Sequence, residues 1–327
     1  MIRIGTRSSP LALIQASLVR DALALAHPHK RIEIIPFTTR GDQTTKSLHD
    51  IGGKALFTKE LQDALLTNTI DAAVHSLKDV ELHDFPLALG AYLPHEAPND
   101  VLITRKNYST PVSLARDARI HDQAPEILKD GSSDHAARKP TELAGTLGTC
   151  SPRRASQAKL AWPNITIADL RGNVGTRLQH VVDGKIDATI LAAAGLIRLG
   201  LAGDVFAEKY PTLQQTILPT ETFIPAAGQG IIAVECRPND VALFAQISDA
   251  DTAYCAQLER QFSKHLGGCC RTALGAHVRF LGDGSTSNLT KEIEVLSFFE
   301  GSTLTRTFSI ASDLSNEIHD MAEALKE

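Results

Sequence analysis

The chain carries the same ordered set of short motifs twice, and this repeat constrains its fold more than any other feature. The paired motifs are a Gly-Thr-x-Ser opening, an Arg-Gly step and an Ile-Asp-Ala run, at residues 5–10 and 148–154, 40–42 and 171–173, and 70–74 and 186–190. Three coincidences in the same order predict two related lobes that face a shared cleft.

Both openings predict the start of a helix. Ser9 and Ser151 are good capping residues, and each is followed by a proline, whose missing N–H costs nothing in the first turn. In the second opening Arg153 and Arg154 come next, where cations oppose the positive end of the helix dipole. Guanidinium groups beside free backbone N–H groups are suited to a carboxylate or phosphate.

A salt bridge to a structural acidic residue is the alternative for these arginines, and for a single arginine we would favour it. For the pair, with Arg7, Arg171 and Arg177 in matching positions, we favour an anionic ligand.

Composition limits the classes of protein. The 327 residues suffice for two or three domains, and the net charge of −5 argues against general nucleic-acid binding. No apolar run approaches the roughly 18 residues of a membrane span. Five cysteines without metal-ligand spacing fit a reducing compartment. Because Met1 leads directly into a strand-like Ile-Arg-Ile, we expect no signal peptide and a cytoplasmic location, although a trimmed organellar precursor would look the same.

Strands and helices alternate through the first two thirds, which predicts α/β lobes with largely parallel sheets. Residues 106–146 interrupt this pattern and predict an exposed insertion. The last third predicts a small α+β domain: a helix over 251–266, three antiparallel strands over 274–280, 293–299 and 304–310, and a final helix.

Two other motifs have possible chemistry. Cys269 and Cys270 follow a Gly-Gly step, and they fit a covalent attachment point or ordinary buried cysteines better than a hydrolytic nucleophile. Lys78 and Asp79 follow a predicted strand, where open α/β sheets bind ligands. A carboxylate there can stabilise a developing cation, whereas a solvated Lys-Asp turn is the simpler interpretation. His75, which lies three residues before Lys78, is interpreted as a structural histidine.

Taken together, the motifs closely resemble those of the porphobilinogen deaminase (hydroxymethylbilane synthase) family of tetrapyrrole biosynthesis. The matching segments span nearly the whole chain except the insertion, at 5–13, 52–57, 74–79, 170–174, 176–178, 193–196, 225–230, 235–237 and the Gly-Cys loop.

The resemblance implies a transferase that condenses four porphobilinogen molecules head to tail and releases ammonia at each step. It also implies a dipyrromethane cofactor, bound through a thioether to Cys270, with Cys269 where a glycine is usual. Asp79 matches the catalytic aspartate, which would assist departure of the amine and stabilise the azafulvenium cation.

Further residues fall on family positions that bind carboxylates or pyrrole rings. For the cofactor these are Ser76, Lys78, Thr149, Ser151, Arg153, Arg154 and Arg177; for the substrate they are Arg7, Ser9, Phe57, Arg171 and Arg198. We expect no metal, no nucleic acid, no membrane association and a monomer.

The expected fold is two α/β lobes of the type 2 periplasmic-binding-protein-like class flanking a cleft, plus a small α+β domain with a three-stranded antiparallel sheet. The expected domains are 1–98 with 228–243, 99–227, and 244–327. A two-lobed anion-binding protein or sensor is the competing hypothesis. It explains the lobes and the basic residues but not the cysteine loop, the third domain or the Lys-Asp motif.

Overall fold

The computed structural model describes residues 1–39, 58–82, 86–106, 144–268, 272–281, 292–309 and 314–326. Its strands are β1 (Ile2–Arg7), β2 (Ile32–Phe37), β3 (Ala72–Ser76), β4 (Ala88–Tyr92), β5 (Asp100–Arg105), β6 (Gly145–Gly148), β7 (Ile165–Ala168), β8 (Ala188–Ala192), β9 (Leu213–Leu218), β10 (Ile232–Cys236), β11 (Leu274–Leu281), β12 (Glu292–Phe299) and β13 (Ser302–Ser309). Its α-helices are α1 (Pro10–Ala26), α2 (Lys59–Leu66), α3 (Pro152–Ala161), α4 (Val174–Val182), α5 (Ala193–Arg198), α6 (Gly203–Lys209), α7 (Val241–Phe244), α8 (Ala250–His265) and α9 (Leu314–Glu323).

The first lobe is built on a sheet of order β2-β1-β3-β10-β4, in which β10 runs antiparallel to both neighbours. One face of this sheet is covered by α1, whose Ala16, Val19 and Leu23 pack into the core. On the other side Leu61 and Leu65 of α2 pack against Ile70 and against Ala73 of β3. Because both faces are covered, most residues of β1, β3 and β10 are buried.

The second lobe repeats this plan with a sheet of order β7-β6-β8-β5-β9, in which β5 is the antiparallel strand. Ala158 and Trp162 of α3 pack on one core and Leu178 and Val181 of α4 on another. The two sheets share strand order and direction, which confirms the predicted pair of related, largely parallel α/β lobes. The expected match between the two Arg-Gly steps is not tested, because residues 40–42 lie outside the described part of the chain.

Equivalent residues play equivalent structural roles in the two lobes. In the first lobe Asp71 Oδ2 accepts a hydrogen bond from the Arg3 backbone N–H at 2.9 Å. In the second lobe Asp187 Oδ2 accepts one from the Thr146 backbone N–H at 2.8 Å. Each aspartate thereby joins the start of one central strand to the next. The repeat seen in the sequence is therefore a structural repeat, extending to single hydrogen bonds.

The C-terminal part contains a β11-β12-β13 antiparallel sheet, as predicted. Glu300 and Gly301 form the turn between β12 and β13, both at positive φ (48° and 107°). Gly301 adopts this conformation without strain, which suits a two-residue hairpin. The helix α8 precedes this sheet, within one residue of the predicted bounds 251–266, and α9 follows it, as predicted.

Internal contacts divide the chain into two compact units, Met1–Glu96 with Gly228–Arg260, and Ala97–Ala227 with Gln261–Glu327. The three predicted domain ranges stay predictions. Most of the predicted insertion, residues 107–143, lies outside the described chain. Across the described ranges no helix has the length and apolarity that crossing a membrane requires.

Candidate active site

The first lobe contains a pocket at the carboxyl ends of β1 and β3, beside the start of α1. Its polar lining includes Arg7, Ser9, Gln15, Ser76 and Asp79. The Ser9 side chain caps α1 by accepting from the Ala12 N–H at 3.4 Å. The pocket therefore combines a helix N-terminus, a guanidinium group and a carboxylate, as an anionic substrate with a cationic reacting centre would require.

Asp79 lies on a short 3-10 turn, Leu77–Asp79, directly after β3. Leu77 is buried and anchors this turn, because its N–H donates to the Ile231 carbonyl at 2.9 Å. Lys78 Nζ donates to Gln229 Oε1 at 3.3 Å. The Asp79 side chain is exposed at the pocket. A buried residue thus fixes the turn while the carboxylate stays accessible to a ligand.

Behind the pocket lies a buried polar cluster that the sequence analysis did not identify. His75 Nε2 lies 3.2 Å from Glu235 Oε2, and Gln62 Nε2 donates to Glu235 Oε1 at 3.0 Å. Gln15 and Ser76 exchange hydrogen bonds at 2.8 and 3.3 Å. The interpretation of His75 as structural agrees with its burial, yet His75 also lines the pocket. Because alternate residues of a strand share one face, the sequence could have placed His75 on the sheet face opposite Val74 and Ser76. It could not have shown that Glu235 is the partner of His75.

In the second lobe the matching opening begins α3. The Ser151 side chain accepts from the Arg154 N–H at 3.4 Å, and the Ser151 N–H donates to Thr149 Oγ1 at 3.1 Å. Cap and proline thus occur as predicted.

Arg153 and Arg154 are both buried and share one carboxylate. Arg153 Nη1 lies 2.8 Å from Asp100 Oδ2, and Arg154 Nη2 lies 2.6 Å from Asp100 Oδ1. Asp100 is 0% exposed and starts β5. These contacts are of the kind that the salt-bridge alternative predicted, and Asp100 is the acidic residue that the sequence analysis missed.

This cluster does not balance its own charge. Two guanidinium groups face one carboxylate, and the buried Arg153 Nε has no hydrogen-bond partner among the residues that the structure describes. Burial lowers the pKa of Arg153. The neighbouring Asp100 carboxylate raises this pKa, whereas the positive charge of Arg154 lowers it further. Arg153 Nη1 also donates to the Ile224 carbonyl at 2.7 Å. The cluster therefore carries an excess positive charge beside the start of α3, which suits an anionic ligand.

The remaining predicted arginines of the second lobe are half-buried. Arg171 Nε donates to Asp169 Oδ2 at 3.3 Å, Arg177 Nε donates to the Gly172 carbonyl at 2.8 Å, and Arg198 ends α5. Arg171 and Arg177 flank the Asn173 cap of α4, at the carboxyl edge of the second sheet.

The structure thus brings Arg7, Ser9, Ser76 and Asp79 to one pocket, with Lys78 adjacent in the turn. Thr149, Ser151, Arg153 and Arg154 gather at the start of α3. Phe57, Cys269 and Cys270 lie outside the described residues. Within the described ranges, no group of three His, Cys, Asp or Glu side chains is placed to hold a metal ion.

Comparison with known proteins identifies the family. Residues 2–245 match the family model described as porphobilinogen deaminase, dipyromethane cofactor binding domain. The porphobilinogen deaminase of Sphingopyxis alaskensis is 41% identical over 292 residues, covering 86% of this chain and 81% of the relative. That of Coxiella burnetii is 40% identical over 287 residues, with 86% and 81% covered.

Among solved structures, an arginine transport system periplasmic binding protein from Legionella pneumophila is similar at a TM-score of 0.40 and 13% identity, covering 80% of this chain and 93% of that one. A likeness this low carries no functional argument, so the assignment rests on the sequence relatives. The chain belongs to the porphobilinogen deaminase family, and is a transferase of tetrapyrrole biosynthesis that works with a dipyrromethane cofactor.

Proposed function

We propose that this chain carries out the family's stepwise condensation of porphobilinogen with Asp79 as its catalytic residue. The observation that supports this role most strongly is the position of Asp79, exposed at a pocket that also contains Arg7 and the capped start of α1. Arg7 and Ser9 would bind the acetate or propionate group of the incoming pyrrole. That contact would place the aminomethyl carbon near the Asp79 carboxylate.

Asp79 would act in two stages. Its carboxylate first stabilises the cation that develops as the carbon–nitrogen bond breaks and ammonia leaves with the bonding electron pair. After the new carbon–carbon bond forms, the attacking ring must lose a proton from its reacting carbon. Asp79 is the group of this pocket that would accept that proton.

The second lobe would hold the carboxylates of the cofactor. The excess positive charge of Arg153 and Arg154 over Asp100, together with the unpartnered Arg153 Nε, fits a group rich in carboxylates. Thr149, Ser151 and Arg177 would add donors at the same edge, and Ser76 and Lys78 would contribute from the first lobe. Arginine suits this task because its planar fork binds carboxylates in a bidentate way.

When bound, the cofactor supplies the pyrrole carbon that acts as nucleophile. Cys270 would hold it through a thioether. Arg171 and Arg198 would bind substrate carboxylates, and Phe57 would pack against a pyrrole face. We further propose that the protein acts in the cytoplasm as a monomer without nucleic-acid partners, with porphobilinogen as its small-molecule partner.

The anchor is tested by intact mass spectrometry of the wild type beside Cys270→Ser and Cys269→Ser. We expect an excess mass equal to two linked pyrrole units in the wild type and in Cys269→Ser, and none in Cys270→Ser. Loss of the adduct only in Cys269→Ser would move the anchor to the neighbouring cysteine. If incubation with porphobilinogen adds no mass to any of the three proteins, the binding-protein hypothesis would be favoured.

The role of Asp79 is tested by the rate of ammonia release from porphobilinogen. We expect Asp79→Asn to lower kcat by about 10²–10⁴-fold, because the amide carries no charge and accepts no proton. Asp79→Glu keeps the negative charge, so its kcat should fall less than that of Asp79→Asn. An Asp79→Asn enzyme within threefold of wild type would refute the assignment.

A further inference from the structure

The turn that carries Asp79 is held in place by two consecutive residues of α8. Arg260 Nη1 donates to the Val80 carbonyl at 3.1 Å, and Arg260 Nη2 donates to the Glu81 carbonyl at 2.9 Å. Both acceptors belong to the two residues that directly follow Asp79. One guanidinium group therefore fixes the backbone on the downstream side of the turn.

The upstream side of the same turn depends on the neighbour of Arg260. Glu259 Oε2 accepts from the Gly228 N–H at 2.6 Å, and Glu259 is 1% exposed. Gly228 has φ +73°, and a Cβ there would lie 2.7 Å from Leu77 Cγ. Leu77 is the first residue of the Asp79 turn. Glu259 thus holds the backbone segment against which this turn packs.

The position of Arg260 carries an energetic cost. Burial lowers the pKa of Arg260, although Tyr92 and Glu235 act in the opposite direction. A half-buried guanidinium group is tolerated when its N–H groups are hydrogen-bonded, and here two of them donate to consecutive backbone carbonyls. A lysine would offer a point charge without the planar fork and would not reproduce this pair of contacts.

We propose that Arg260 is a positioning residue for Asp79, acting through the carbonyl groups of Val80 and Glu81 to hold the carboxylate at the pocket. The inference rests on the proposed role of Asp79. Arg260 itself is not among the residues that line the pocket. In sequence, α8 is followed by the Gly267-Gly268 step and then by the predicted attachment cysteine.

A double-mutant cycle tests this proposal, with Arg260→Gln and Asp79→Asn made singly and together. We expect Arg260→Gln to lower kcat by about 10–100-fold, the size of effect that a displaced catalytic group produces, with KM within about twofold of wild type. We expect the kcat of Arg260→Lys to lie between those of the wild type and Arg260→Gln. In the Asp79→Asn background the same change should lower kcat by less than about twofold, because there is no carboxylate left to position.

An Arg260→Gln effect of equal size in both backgrounds would overturn the proposal, as would a lower melting temperature with unchanged kcat. Arg279→Gln is the matched control: Arg279 is also a half-buried arginine with two partners, Glu221 and Glu294 at 2.6 Å, and its loss should lower stability without lowering kcat. If Arg260→Gln does not fold, Arg260→Lys and Glu259→Gln carry the same cycle. Wild-type activity in Asp79→Asn alone would refute the proposed function instead.

Discussion

The two lobes share one backbone plan but place their buried carboxylates differently. Ile232 on β10 pairs with Ser76 on β3, and Asp100 on β5 pairs with Ala192 on β8. Both β3 and β8 begin just after the Ile-Asp step, so Ser76 and Ala192, the last residues of these strands, are equivalent. Their pairing partners, Ile232 and Asp100, therefore occupy equivalent positions in the two lobes. The first lobe instead buries Glu235, whose equivalent in β5 is Ile103.

This difference separates the chemistry of the lobes. Asp100 neutralises part of the charge of two arginines at the start of α3, whereas Glu235 supports His75 behind the pocket of the first lobe. The residue equivalent to Asp79 is Gly195, within α5, which carries no side chain. These differences support our proposal that the first lobe serves catalysis and the second serves carboxylate binding.

The largest stability effect is expected at Asp100. Replacing it by Asn removes the charged carboxylate that both buried guanidinium groups contact, which should cost about 3–5 kcal/mol of unfolding free energy. The matched control is Ile232→Val at the equivalent position, expected to cost about 0.5–1.5 kcal/mol. Urea denaturation measures both. If Asp100→Asn were no more costly than Ile232→Val, the cluster would not depend on this carboxylate.

The second prediction compares the glycines that open the two copies. A Cβ at Gly5 would lie 2.4 Å from Ile70 Cδ1, and one at Gly148 would lie 2.7 Å from Ile186 Cδ1 and 2.9 Å from Leu170 Cβ. A terminal methyl group can move, but Leu170 Cβ is tied to its backbone. Gly148→Ala should therefore cost more than Gly5→Ala, both within about 1–3 kcal/mol. The reverse order in urea denaturation would show that the two openings are not packed as described.

The smallest effect concerns Asp71 and pH. Burial raises the pKa of Asp71, but hydrogen bonds from Arg3 and Arg237 outweigh it and hold the pKa below its usual value. A lowered folded-state pKa stabilises the protein above the unfolded pKa, and this contribution is lost as the pH falls through the folded one.

Asp71→Asn should accordingly destabilise the protein by about 1 kcal/mol or less at pH 7, since the group is partly solvated. The difference from wild type should shrink on acidification below the ordinary aspartate pKa of 3.8. Thermal unfolding across this range measures the difference. If the stability difference between Asp71→Asn and the wild type grew on acidification, the pKa of Asp71 would not be lowered in the folded state.

The sequence predicted what depends on local pattern. The Ser-Pro starts of α1 and α3 and the bounds of α8 depend on signals that lie close together in the sequence. It did not predict Asp100 as the partner of Arg153 and Arg154, because that contact joins residues more than fifty positions apart. Glu235 and Arg260 were missed for the same reason, because their partners lie in segments that are distant in the sequence.

In our proposal the first lobe performs the chemistry and the second holds the carboxylates of the cofactor. Intact mass spectrometry tests it directly, on Asp79→Asn and Arg154→Gln purified from cells that make porphobilinogen and then incubated with this substrate. Cofactor assembly is needed once per molecule, so even a slow Asp79→Asn enzyme should carry the two-pyrrole adduct. It should then add further pyrrole units far more slowly than wild type, whereas folded Arg154→Gln should largely lack the adduct. A fully loaded, elongating Arg154→Gln protein would contradict this division of labour between the lobes.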